Sequence, residues 1–557
     1  MALTGAQLVV QGLLEEGVDT VFGIPGSHVL AIYDALREAL QIRHVTAVHE
    51  NNAALMAGVY ARLTGKPGVA VVTAGPGATN AATGIAQAYS SAFPVVIITG
   101  SVPPKAKKEI FHGVDDPEFL HKIFSPITKL SFRIERPEEV PEKLAQAFSQ
   151  ALSGRPGPVH VEIDELVLKE EAGEAREPPL QYRRVGPVCQ GLDALAMDKI
   201  VESLRLAKRP VIVAGKGVLA SFARDDLAQA AEVLAAPVVY PNDAVGVMSY
   251  KHRWSAGVIA TPMGVNPFTV KLMHEADLLL AIGLRPDAWN LDLILRNAPE
   301  VLLFIGFDDE QVSQEGALLS CVSEARSALQ EIMHRLAPDR RRADEALLEE
   351  IGANKRAVLQ AFYSAIEPYR QRTPVHFGLA LEELARHLTP VTIVIGDVGN
   401  HNVWATAFLT RLGADNFLNP GLWAAMGFAI PAAIGAKIAC PERRVVGITG
   451  DGSFLMSSAD FATAVQHGLQ IVYVVLDDRR YGMVEMLQRR AYGRTYATEI
   501  TPPDFVKYAE SFGAAGIRVE RASELRGAFH QAFAAAGPVV VDVICESEVP
   551  YVSFPGV

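Results

Sequence analysis

The 557 residues include 63 acidic and 51 basic side chains, for a net charge of −12, and 49% of them are hydrophobic against 20% charged. That balance excludes a disordered chain, and with no lysine/arginine-rich block it argues against a nucleic-acid partner; Arg340-Arg341-Arg342 lies beside acidic residues and reads as a solvated linker. The length exceeds a single core and predicts about three domains.

Four cysteines (Cys189, Cys321, Cys440, Cys545) lie far apart without metal-type spacing and read as thiols in a reducing compartment. The opening stretch, MALTGAQLVVQGLLEEGV, has no basic region before an apolar core. Leu422–Ala436 is interrupted by Gly427, Pro431 and Gly435 and falls short of the roughly 20 residues a membrane span needs. A cytoplasmic enzyme without a membrane partner is expected.

In chain order, Thr4–Gly17 reads as an amphipathic helix, Thr20–Gly23 as a strand and Gly26–Leu36 as a helix. Val45–His49 is a strand ending at Glu50, and Asn51–Leu63 a helix. Gly68–Thr73 is a strand, after which the turn Gly75–Asn80 (GPGATN) leads into a helix over Ala81–Ser90. Pro94–Thr99 and Val159–Ile163 complete a first section over residues 1–170. The charged, proline-bearing residues 171–190 read as a linker. A second section, 191–335, offers strands at Pro210–Ala214, Pro237–Tyr240, Leu278–Ile282 and Val301–Ile305. After the charged helical stretch Arg341–Arg372, a third, 375–545, offers Thr392–Ile395, Val445–Ile448, Ile471–Leu476 and Val539–Ile544, and 546–557 is an irregular tail. Alternation of this kind predicts an α/β protein with three doubly wound parallel-sheet domains, suggestive of duplication.

The most informative stretch is Val445–Val484. An apolar strand stops at Gly450-Asp451-Gly452, a helix is expected over Ser457–His467, and the run IVYVVL ends on Asp477-Asp478. Asp451 and Asp478 thus stand at the carboxyl ends of parallel strands, where such sheets bind ligands. Paired carboxylates suit a hard divalent cation, and flanking glycines let backbone N–H groups approach a phosphate, which together suggest a magnesium–diphosphate anchor. The plainer alternative is a glycine turn with an exposed acidic pair. Glu50, between strand and helix, suits either an active carboxylate or simple compensation of the helix N-terminus. The turns at Gly23–Gly26 (GIPG) and Gly75–Gly77 (GPG) are no more than turn signals on their own, but each falls between a strand and a helix.

Taken jointly, FGIPG (22–26), HENNAA (49–54), AGPGATN (74–80), DVGNHN (397–402), AAMGFAIPAAIGA (424–436), GDGSF (450–454) and LDDRRYGMV (476–484) resemble, end to end, the thiamine diphosphate enzymes of the pyruvate decarboxylase and acetolactate synthase superfamily. The likeness is greatest to acetolactate synthase large subunits. It implies a pyrimidine-binding first domain, a central domain and a diphosphate- and Mg²⁺-binding third. Glu50 would hydrogen-bond the pyrimidine ring and Met426 would be the apolar wedge beneath the bent cofactor. Asp451, Asp478 and the Arg480 carbonyl would hold Mg²⁺. Pro25, Gly26, Thr73, Gly75, Asn80, Asn400, His401, Asn402, Ala424, Gly450, Gly452, Ser453, Tyr481, Gly482 and Met483 would complete the cofactor site. His28, His112 and Tyr481 are candidates for the reacting centre. His112 reads either as an acid/base or as a surface-loop histidine, and structural hydrogen bonds are expected of His49 and His401.

The resemblance implies a homodimer at minimum, with a homotetramer expected, because the first domain of one subunit faces the third of another. Small 2-oxo acids or aldehydes would be the substrates, for decarboxylation and carboligation. A plain decarboxylase, a benzaldehyde-lyase-like acyloin enzyme and a catalytically idle paralogue are the alternatives. Departures fall on second-substrate positions: Asn51 replaces a common Gln, Phe111-His112 a Phe-Gln pair, and Glu485-Met486-Leu487-Gln488 a segment that usually carries Trp. In the central domain, Gly283-Leu284-Arg285 resembles a flavin-binding segment. The following PDAW and the glycine in FIGFDD (304–309) depart from it, so FAD is possible but not favoured, with ADP or an empty site as alternatives.

Overall fold

The computed structural model describes residues 2–101, 111–173, 193–262, 264–285, 288–307, 317–546 and 552, and the side chains of 288–291 are not among those described. Most of the expected linker and tail, Cys189, Pro286-Asp287 and Asp308-Asp309 therefore lie outside the described residues.

Three six-stranded sheets carry the fold. The first contains β1 (Thr20–Gly23), β2 (Arg43–Thr46), β3 (Gly68–Val72), β4 (Val95–Ser101), β5 (Leu130–Ile134) and β6 (Val159–Asp164), in the order β2-β1-β3-β4-β6-β5. The second contains β7 (Pro210–Ala214), β8 (Val238–Tyr240) and β9 (Ser255–Val258); a small antiparallel pair, β10 (Ala260–Thr261) and β11 (Gly264–Val265), follows outside it. With β12 (Leu278–Ile282), β13 (Leu302–Gly306) and β14 (Leu319–Val322), the second sheet has the order β14-β13-β12-β7-β8-β9. The third contains β15 (Ile393–Gly396), β16 (Asn416–Leu418), β17 (Val445–Gly450), β18 (Ile471–Asp477), β19 (Ala515–Val519) and β20 (Val539–Ile544), in the order β16-β15-β17-β18-β20-β19.

Every pairing within these sheets is parallel. Counted from its own first strand, the third sheet repeats the first (2-1-3-4-6-5), whereas the second has the 3-2-1-4-5-6 order of dinucleotide-binding folds. The repetition suggested by the sequence therefore joins the first and third sheets and leaves the second apart.

The inner strands are the continuous apolar runs. β3, β4 and β18 are buried along their whole length because helices cover both faces. β5, β9, β14, β16 and β19, which the sequence analysis did not assign, lie at or next to the open edges of their sheets. Most of them mix buried and partly exposed positions.

Three segments near the motifs differ from expectation. The second strand ends at Thr46 instead of His49, because His49 caps the next helix, its Nδ1 accepting from Asn51 N at 3.1 Å. The GPGATN segment is not an extended turn: Gly75 alone turns the chain, at φ +60°, and the helix Pro76–Ser91 starts at once with proline in its first turn. The helix expected from Ser457 begins at Asp451, runs to Ser457 and passes through a 3₁₀ turn into Phe461–Gln466.

The outer two domains share a core within one chain. The helix Glu50–Thr64 packs on Ala429–Ala439 so closely that a Cβ on Gly435 would meet Met56 O at 2.4 Å. Asp460 clamps the same contact, accepting from Val48 N at 2.8 Å and Asn52 Nδ2 at 2.6 Å.

Candidate active site

In both outer sheets the chain reverses its winding between the first and third strands, and ligands in open parallel sheets bind at the crevice such a reversal opens. The sequence-predicted residues gather at these two points.

At the β1/β3 crevice, Gly26 abuts Thr73; a Cβ on Gly26 would lie 2.5 Å from the Thr73 Cβ. His28, buried, meets Thr73 Oγ1 through Nδ1 at 3.4 Å, and its ring lies 5.2 Å from that of His112. Gly75 is so close to His112 that a Cβ would strike the His112 carbonyl oxygen at 2.2 Å. Glu50 is the first residue of its helix, and Asn80 Nδ2 donates to its Oε2 at 3.0 Å. Gly77 leaves room beside Glu50 Oε1, 3.3 Å from where a Cβ would stand. Pro25 is exposed next to this group. His112 thus belongs to the group around His28, at φ +63° with Nδ1 buried and, among the described residues, without a partner. Burial, and then the neighbouring His112, lower the pKa of His28, which favours the neutral imidazole.

At the β15/β17 crevice, a cavity of about 80 Å³ is lined by Asn400, His401, Met426, Gly450, Asp451, Gly452, Ser453, Asp478, Arg480, Tyr481, Gly482 and Met483. Phe377, Val398, Gly399, Leu476 and Val484, which the sequence analysis did not single out, complete its wall. Asp451 is 2% exposed; Oδ1 accepts from Gly452 N at 2.7 Å, while among the described residues Oδ2 has no partner. Asp478 and Asn400 converge beside Gly482, where a Cβ would meet Asp478 Oδ2 at 2.6 Å and Asn400 Nδ2 at 3.1 Å. Burial first, and then the negative charges of Asp478 and Asp477, push the Asp451 carboxyl well above its usual range; Asp478 is also raised, chiefly by burial. A buried carboxylate with an orphaned oxygen and a half-buried one beside it, both of which resist ionising, form a donor set that a hard cation would complete. Among the described residues no three or more His, Cys, Asp or Glu side chains gather as a metal cluster, so any such ion would rely on this pair, backbone carbonyls and its own ligands.

The glycines supply clearance. A Cβ on Gly452 would strike the Tyr481 ring at 2.6 Å, and one on Gly450 would reach His401 Nδ1 at 2.9 Å. His401, for which a structural hydrogen bond was expected, borders the cavity with its ring, and among the described residues its Nε2 is buried without a partner. The Ser453 hydroxyl donates to Val398 O at 3.0 Å, which leaves its backbone to face the cavity. Asn402 turns away, its Oδ1 accepting from Thr406 Oγ1 at 3.2 Å, and Ala424, exposed at φ +54°, stands outside the lining.

Asp397 organises this half from behind. Its buried carboxylate accepts from Val398 N and Gly427 N at 2.9 Å each, from Ala429 N at 2.8 Å and from Thr449 Oγ1 at 3.3 Å. It thereby ties the β15 loop, the Met426 loop and β17 together. The signal was present as the first residue of DVGNHN, although a bare Asp at a strand end does not reveal its acceptor role.

Residues 3–121, 197–332 and 397–543 match, in turn, the N-terminal TPP binding domain, the central domain and the C-terminal TPP binding domain of thiamine pyrophosphate enzymes. This chain belongs to the thiamine pyrophosphate enzyme family. The probable acetolactate synthase large subunit of Methanocaldococcus jannaschii is 34% identical to the enzyme over 554 residues, covering 98% of this chain and 92% of that one. The acetolactate synthase large subunit of Haemophilus influenzae is 32% identical, with 99% and 96% covered. Acetolactate synthase isozyme 3 large subunit of Escherichia coli is 32% identical, with 95% and 92% covered. The two crevices of this thiamine pyrophosphate enzyme fall within the N- and C-terminal TPP binding domains. No helix among its described residues is long and apolar enough to cross a membrane.

Proposed function

We propose that this enzyme uses thiamine pyrophosphate (thiamine diphosphate) with Mg²⁺ to decarboxylate a small 2-oxo acid such as pyruvate and to join the acyl unit to a second carbonyl. The observation that carries this reading is the matched pair of crevices: Glu50 with Asn80 at one, Asp451 with Asp478 at the other. The full-length likeness to proteins named acetolactate synthase supports the reaction class.

When bound, the cofactor supplies carbanion stabilisation, the chemistry that C–C cleavage and formation need. The chain's part is positional and electrostatic. Asp451, Asp478 and the Arg480 carbonyl would hold the metal, while Gly452, Ser453 and Gly482 would offer backbone to the diphosphate. Glu50, steadied by Asn80, would hold a proton against the pyrimidine ring. Met426 would give apolar support from the C-terminal half. A neutral His28, with His112 beside it, would carry a proton to or from the substrate oxygen.

The two residue groups have no member in common, and no residue of the Glu50 group borders the Asp451 cavity. That separation supports a site completed between two copies, so the enzyme is read as a homodimer at minimum. Met456 (54% exposed) and Trp423 (48%) near the Met426 loop offer apolar area for that contact.

A plain decarboxylase or acyloin lyase is a second reading, favoured by Glu485. Both of its oxygens are engaged, by Arg480 Nη1 at 2.9 Å and Arg489 Nη2 at 2.7 Å, in the segment where biosynthetic relatives were expected to carry Trp. Incubation of purified enzyme with cofactor, Mg²⁺ and pyruvate, with products read by proton NMR, separates the readings. Acetolactate supports the carboligase, whereas acetaldehyde or acetoin supports the second reading. If pyruvate is not consumed, it is the wrong donor, and bulkier 2-oxo acids come next.

A further inference from the structure

A cavity of about 610 Å³ shares no lining residue with the Asp451 cavity. Its walls come from all three domains. The first gives the ends of two helices (Arg62, Phe93), the second Lys216 to Arg224 and Asp243 to Ser249, and the third β16 and Arg443. The volume lies within the range of about 300–1,000 Å³ of small-molecule sites.

Three guanidinium groups, one from each domain, face this space: Arg62, Arg224 and Arg443. Among the described residues none of them forms an ion pair with a carboxylate; each is held by something neutral. Arg62 lies over the Phe222 ring, 5.7 Å from its centroid. Arg224 donates to Asn416 Oδ1 at 2.8 Å and Asp415 O at 2.9 Å. Arg443 donates through Nε to Val391 O at 2.5 Å. Lys216 adds a fourth cation, 3.7 Å from Asp243. The carboxylates of the other acidic wall residues, Asp225 and Asp415, act on Arg224 only through space.

Burial and then Arg224 depress the Arg62 guanidinium to about 10, and burial and Arg443 act in the same direction on Arg224. Like charges are thus gathered around one cavity with no carboxylate pairing them among the described residues, Arg224 spending both terminal nitrogens on neutral oxygens, and such a setting favours an oxyanion. The support under Arg62 is built at some cost. Phe222 has φ +54°, unusual for a bulky residue, and fits because Gly65, at φ +73°, leaves room for the ring, which a Cβ there would meet at 3.2 Å.

We propose that this three-domain junction is a second, non-catalytic site for a small organic polyanion, bearing phosphoryl or carboxylate groups, gripped by Arg62, Arg224 and Arg443. The site reaches both crevices through rigid elements. Arg62 lies twelve residues, roughly 18 Å, along the helix that begins at Glu50. Asn416 and Phe417 belong to β16, which pairs with β15, the strand leading into Asn400 and His401. Occupancy would therefore cross-link the three domains and raise the stability of the whole chain.

The test uses the full-length protein saturated with thiamine pyrophosphate and Mg²⁺, so that the diphosphate site is filled. Inorganic phosphate and succinate are titrated separately by calorimetry at constant ionic strength, with Tm followed in parallel. Saturable binding of at least one anion, one per chain, with a rising Tm, is expected, and the anion that binds identifies the group recognised. Arg62→Gln and Arg224→Gln should each weaken binding by about tenfold or more, while Arg37→Gln, on the open surface, should not. Should Arg62→Gln fail to fold, Arg62→Lys keeps the charge and removes the fork, and weakened binding is again expected. Absence of saturable binding of both anions at millimolar concentration, or unchanged affinity in the arginine variants, overturns the proposal. Since the readout is binding and not turnover, failure here leaves the catalytic reading untouched.

Discussion

Asn80 donates through Nδ2 to Glu50 Oε2 at 3.0 Å, joining the first turns of two helices that follow β2 and β3, the strands on either side of β1. One oxygen of the carboxylate is thereby fixed in direction. If Glu50 handles a proton of the bound cofactor, Glu50→Gln keeps the shape and the Asn80 contact but cannot exchange a proton. Cofactor binding, followed by calorimetry, should stay close to wild type while turnover falls by about 10²–10⁴. Unchanged turnover would remove Glu50 from the mechanism.

Asp451 and Asp478 repel each other in a buried crevice, so the apoprotein bears a cost that a divalent cation relieves. Asp451→Asn should leave the apoprotein as stable as wild type, or more so. It should abolish the rise in Tm that Mg²⁺ with cofactor produces in wild type. EDTA should remove activity, and Mg²⁺ with thiamine pyrophosphate should restore it. A Tm increment that survives Asp451→Asn would move the metal elsewhere.

Asp397 accepts three backbone N–H groups. In Asp397→Asn the amide turns one donor toward another at this cluster. A loss of about 1–3 kcal/mol in stability and weaker cofactor binding should follow, because the Met426 loop is released. Urea unfolding and cofactor titration check the two effects separately.

His160 is buried between Thr99 and Ser131, whose hydroxyls meet Nε2 and Nδ1 at 2.9 Å each, and it stacks on Phe124. Burial, followed by His121 and Arg133, lowers its pKa to about 3. The depressed value means that folding keeps the ring neutral: the stabilisation is present above about pH 6.5 and is lost as pH falls toward 3. Between pH 6.5 and 5 the loss amounts to about 1.6 kcal/mol. Denaturation series across that range should show a steeper decline for wild type than for His160→Gln.

How much was readable in the sequence follows from where each residue sits. Inner strands such as β3, β12 and β18 are buried on both faces, so their runs of Val, Ile and Leu announce them directly. The edge strands β5, β14 and β19 carry mixed faces and left no such run. Glycine turns and acidic residues between strand and helix marked Glu50, Asp451 and Asp478 because a carboxylate at such a junction stands out against the apolar runs on either side.

The order of strands was decided only by tertiary structure. Side-chain periodicity says which face of a strand is buried, not which neighbour it pairs with, and that pairing opens crevices at β1/β3 and β15/β17. The same holds for contacts between distant segments. Asp460 reaches Asn52, and His28 lies against His112, because packing brings their helices and loops together. Arg62, Arg224 and Arg443 read in the chain as three unrelated cations, and only the closing of three domains around one cavity turns them into a cluster. Local chemistry is written residue by residue, whereas convergence depends on long-range burial that no short window of sequence contains.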